Sequence, residues 1–106
     1  MTEQEAKILS IRKWQWIVDN EGRTSNKENI KVWEAIPELE DMIYYCPYCE
    51  LFWRSGCKKC PLNLRFVHNS TGCHQLQHPF YFWCCNTIKA NAQKVLDLII
   101  NTGVEL

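Results

Sequence analysis

The chain has no apolar run near the ~20 residues that a membrane-spanning helix needs. Its opening residues, Met1-Thr2-Glu3-Gln4-Glu5, are acidic where a secretory leader would be basic and then apolar. Together these absences predict a protein of a reducing cytoplasm with no membrane contact. An excess of either charge is also missing, since twelve bases balance twelve acids, which argues against a wholesale electrostatic binder of nucleic acid. Several catalytic signatures are absent: a Gly-rich phosphate loop, His-Glu-x-x-His and Gly-x-Ser-x-Gly. The His-x-Glu element that zinc deaminases place ahead of their Cys pair does not occur either. Repeats and low-complexity segments are lacking, and 106 residues suit a single domain.

Cysteine is what the chain has in quantity, with seven residues. Cys46-Pro47-Tyr48-Cys49 is followed, after seven residues, by Cys57-Lys58-Lys59-Cys60. In a reducing compartment such clusters read as metal ligands or redox groups rather than disulfides. A Cys-x-x-Cys turn brings two sulfurs to one point, and two turns complete a tetrahedral shell with Zn–S near ~2.3 Å. The spacer is shorter than the ~15–20 residues of common zinc ribbons, so a tight loop closed on itself is expected. Cys73, thirteen residues beyond Cys60 and followed by His74, offers a fifth thiol. Four of Cys46, Cys49, Cys57, Cys60 and Cys73 are expected to hold a structural Zn2+, with Cys57 the first to be left out. An iron–sulfur cluster is the alternative occupant, since thiolates serve both. His68, His74 and His78 read as surface or hydrogen-bonding groups, His74 being the one placed to join the shell. Cys84 and Cys85 read as packing residues.

An all-thiolate shell is closed, whereas a metallohydrolase needs an open position and a nearby base; the only acid between residues 46 and 90 is Glu50. A non-enzymatic role is therefore expected. Charge is unevenly distributed: residues 1–45 hold nine acids and six bases, while residues 46–90 hold five bases against that one acid. Lys58 and Lys59 suit a dianionic Zn(Cys)4 centre. The same cations, with Arg54 and Arg65 and the interleaved Phe52, Trp53 and Phe66, could meet phosphates and stack bases. A zinc-dependent nucleic-acid binder is accordingly a second reading.

Helical patterns flank the cysteines. Thr2 to Glu5 has the form of a capping box, and Ile8, Leu9, Ile11, Trp14, Trp16, Ile17 and Val18 give a broad apolar face that Gly22 should end. Ser25 to Glu28 repeats the box before Ile30, Trp33 and Ile36, and Pro37 must close that helix. Glu38 to Asp41 reads as an acidic linker. Met42 to Tyr45 reads as an extended approach to the first Cys pair. Phe80 to Trp83 reads as a core-directed aromatic run. Ile88, Ala92, Val95 and Ile99 keep a helical stripe that should start near Asn86 or Thr87 and stop at Gly103. The expected architecture is one α-rich domain over 1–106: a helical N-terminal part (1–37), a cysteine-rich metal-binding part (42–83) with room for a short β-hairpin, and a C-terminal helix (86–102).

Cys-Pro-Tyr-Cys also resembles the active site of glutaredoxins, which implies thiol–disulfide exchange at Cys46 and Cys49. That family follows the motif with a long helix, and here Gly56 and a second Cys pair leave no room for one. The wider stretch, about residues 44–83, is similar to small cysteine-rich proteins of bacteriophages and prophages. The shared pattern is Cys46–Cys49, then Cys57-Lys58-Lys59-Cys60-Pro61-Leu62, then Gly72-Cys73 ahead of Phe80 to Trp83. This resemblance implies a metal-binding module, raises Cys73 as a ligand, and implies a phage protein that meets a host protein complex in the host cytoplasm, in host takeover or anti-defence. The surface for such a partner is sought among Trp14, Trp16 and Trp33 side chains not used by the core, and in the acidic Glu38–Asp41 segment.

Overall fold

A computed structural model describes residues 1–22, 30–39, 47–52 and 79–106. Among them every regular element is helical: α1 (Glu3–Asp19), α2 (Ile30–Ala35), a 3-10 turn (Pro37–Leu39), α3 (Pro47–Phe52), α4 (Pro79–Cys85) and α5 (Lys89–Ile100). No strand occurs among the described residues. The Cα radius of gyration is 12.6 Å, close to the ~13 Å of a compact chain of about 100 residues.

The start of α1 is set by chemistry legible in the sequence. Thr2 Oγ1 accepts from the Glu5 N–H at 3.1 Å, and Glu5 Oε1 accepts from the Thr2 N–H at 3.2 Å, so two orphan donors are satisfied reciprocally. Its other end closes as a Schellman motif. The Gly22 N–H donates to the Ile17 carbonyl at 2.7 Å and the Glu21 N–H to that of Val18 at 3.1 Å. The helix therefore stops at Asp19, and the first left-handed residue is Glu21 rather than the expected glycine.

The inward face of α1 differs from the apolar pattern in two respects. Ile8 is exposed, whereas Lys7, Ser10 and Lys13 are buried beside Ala6, Trp14, Ile17 and Val18. The Lys7 ammonium donates to the Val104 carbonyl at 2.7 Å, so the charged end is satisfied while the methylene stem packs. Lys13 Nζ stands 5.7 Å from the Trp14 ring centroid, within range of a cation–π contact.

Helix α5 runs antiparallel to α1: its start lies against Gly22 and the chain just past its end lies against Lys7. Ala92, Val95, Leu96, Leu98 and Ile99 supply its buried side. It begins at Lys89, later than the expected Asn86 or Thr87, because the aromatic run is itself a helix. Pro79 sits at its first position, where a missing N–H costs nothing. The Asn86 N–H closes α4 on the Phe82 carbonyl at 3.0 Å, and Asn91 Nδ2 donates to the Asn86 carbonyl at 2.9 Å. Ile88, extended at φ −113° and ψ 159°, then occupies the N-cap without a side-chain hydrogen bond. The other end agrees with expectation: Asn101 caps α5 and Gly103 has φ 78°.

Aromatic packing fixes α4 on α1. Trp14 meets Trp83 edge to face at 4.8 Å between centroids and Phe80 at 6.0 Å, a favoured geometry for ring quadrupoles. Trp83 Nε1 donates to the Gly22 carbonyl at 2.9 Å. A smaller cluster of Val32, Ile36 and Leu39 packs on Leu9 and Trp16 of α1. The sequence reading of Glu38–Asp41 as a linker is thus corrected at its start. Pro37 ends α2 as expected, but Ile36 accepts the Leu39 N–H at 3.0 Å and Leu39 is buried. Glu40 and Asp41 lie outside the described residues.

Candidate metal centre

Of the five candidate ligands, Cys46, Cys57, Cys60 and Cys73 lie outside the described residues, as do Arg54, Lys58, Lys59, Arg65, His68, His74 and His78. Cys49 is the third residue of α3. Among the described residues no three His, Cys, Asp or Glu side chains gather as a metal site. The expected tight loop and the short hairpin fall mainly on the same outside residues; the parts of 42–83 that are described, 47–52 and 79–83, are helical.

Helix α3 is itself a departure from the sequence reading of an irregular chain from the first Cys pair onward. A six-residue helix begins inside the motif, at Pro47. Proline at a first helical position brings a preset φ and loses no hydrogen bond. Pro47 and Tyr48 are both fully buried. Tyr48 belongs to the same core cluster as Ala6, Trp14, Ile17 and Trp83, and Leu51 packs against that cluster from partial exposure. Both residues between the first pair of cysteines are therefore buried, Tyr48 in the main core, and α3 packs on α1. Sequence reasoning took Pro47 and Tyr48 only as part of the Cys-x-x-Cys motif; the signal for an anchor was a large aromatic inside it.

That seat suits a structural ion. A thiolate donor set has the softness zinc selects, and Cys49 stands in a helix whose residues Pro47 and Tyr48 are buried. Thiol exchange makes different demands: the attacking sulfur must be reachable and its pKa lowered by a following helix. A helix does begin directly after Cys46, at Pro47, and the exposure of the two thiols lies outside the described residues.

Other expected site features are placed differently. Trp14 is buried at the centre of the aromatic cluster, and Trp16 is half-buried between the two apolar clusters. Both are used by the core and leave the candidate partner surface; the Trp33 side chain is outside the description. Glu38 is paired with Arg12 at 2.7 Å on the surface, an exposed ion pair of small energetic weight. Cys85, expected to pack, is an exposed free thiol at the end of α4. No described helix is long and apolar enough to cross a membrane.

Comparison of the chain with family models, with curated proteins and with solved structures finds no match to any of them.

Proposed function

We propose that this chain is a non-enzymatic zinc-binding interaction protein whose metal is structural. Four of Cys46, Cys49, Cys57, Cys60 and Cys73 hold the ion, and the rest of the fold presents a surface to a protein partner. The observation that carries the reading is the burial of Tyr48 in the core shared by α1, α4 and α5. It supports a motif built to hold two parts of the chain together rather than to exchange electrons at the surface. The phage setting and the host protein complex as partner are supported by the resemblance of residues 44–83 alone.

Metal analysis of the native protein is the first test. One zinc per chain and no visible absorption band is the expected result; a band near ~400 nm, from sulfur-to-iron charge transfer, would replace zinc with an iron–sulfur cluster. The second test is Cys46→Ser and Cys60→Ser. Each should cost the fold, because structural zinc contributes of order ~10 kcal/mol to folding, comparable to the ~5–15 kcal/mol stability of a whole domain. Variants that keep the fold and lose only thiol reactivity would move the chain to the oxidoreductase reading. Binding to nucleic acid with a steep salt dependence, abolished by neutralising Arg54, Lys58 and Lys59, would establish the alternative binder.

A further inference from the structure

We draw no further inference here: the strongest candidate, the exposed apolar corner at Phe82, Cys85 and Ile88 where α4 turns into α5, carries nothing because nothing in the structure shows what covers it.

Discussion

At the end of α1 two consecutive residues hold positive φ, Glu21 at 65° and Gly22 at 71°, and only one of them has room for a side chain. A Cβ on Gly22 would stand 2.4 Å from the Ile88 carbonyl carbon, 2.5 Å from its oxygen and 2.6 Å from the Lys89 nitrogen. Those are backbone atoms at the start of α5, and they cannot swing aside. Glu21 is exposed and carries only the conformational penalty of a left-handed residue, ~1–2 kcal/mol. Gly22→Ala should therefore combine that penalty with overpacking, itself ~1–3 kcal/mol. It should lower Tm by more than ~10 °C, at ~4–8 °C per kcal/mol for a domain near this size. Glu21→Gly should leave Tm unchanged or raise it slightly, because relief of strain is partly offset by the freer unfolded chain. Thermal unfolding of the two variants side by side checks the assignment; equal losses at both positions would contradict the close approach of α5 to Gly22.

The same residues show how far local chemistry can be read ahead of tertiary structure. Thr2 and Glu5, Gly22 and Gly103 announce helix ends because capping is a property of a few adjacent residues. Lys7 and Lys13 announce nothing. The Lys7 ammonium is met by the Val104 carbonyl, 97 residues distant in sequence, which a helical pattern in one segment does not contain. Tyr48 was legible as part of a metal motif and illegible as core, for the same reason: what buries it is a cluster drawn from α1, α4 and α5.

Among the elements, α4 was the least legible. Phe80, Tyr81, Phe82 and Trp83 are apolar without a period, so the run fits a buried strand or a buried helix equally well. Its helical state is decided by Pro79 at the start and by the tie from Asn91 back to the Asn86 carbonyl. With that tie in place the N-cap of α5 falls on Ile88, whose side chain cannot cap, and Lys89 stands in a first turn where a base is unfavourable to the helix dipole. Ile88 is 43% exposed, so its side chain can be changed without emptying the core. Ile88→Asp should accordingly stabilise the protein by ~1 kcal/mol through a side-chain cap and a favourable charge, read as a rise in the denaturant midpoint with no change in slope. An unchanged midpoint would mean that the first N–H groups of α5 are already satisfied.

Helix α1 makes the complementary case, because its cap is already complete and titrates. Hydrogen bonds from the Thr2 side chain and then its backbone hold the Glu5 carboxyl below its ordinary value of 4.5. A folded pKa below the unfolded one contributes stability that is fully present above the unfolded value and is lost as pH falls through the folded value. Wild type should therefore exceed Glu5→Gln in thermal stability at neutral pH, and the gap should close as acid protonates Glu5. A gap that persists at low pH would place the contribution of Glu5 in packing rather than in its charge.

For the whole molecule the decisive relation is between the core and the cysteine-rich segment. The core is made by α1, α4 and α5, which share Trp14, Phe80, Trp83 and the apolar side of α5, and α3 enters it through Tyr48. Since α3 also carries Cys49, the proposed zinc site and the core would both act on one short helix. Six residues are too few for a helix to persist alone in water, so α3 depends on whatever holds it. Removing zinc with a chelator should then do more than loosen the cysteine-rich segment. Release of α3 withdraws Tyr48 from the core, and the fluorescence of the buried Trp14 and Trp83 should shift red as helical circular dichroism falls in the same transition. Tyr48→Ala tests the coupling from the opposite side, without touching a thiol. Truncating a buried aromatic of this size costs ~3–5 kcal/mol, and the variant, refolded with zinc, should melt earlier and also surrender its metal to a competing chelator faster than wild type. Earlier melting with zinc loss at the wild-type rate would show instead that the metal loop closes independently of the core, and that Pro47 and Tyr48 are packing residues adjoining a separate clamp.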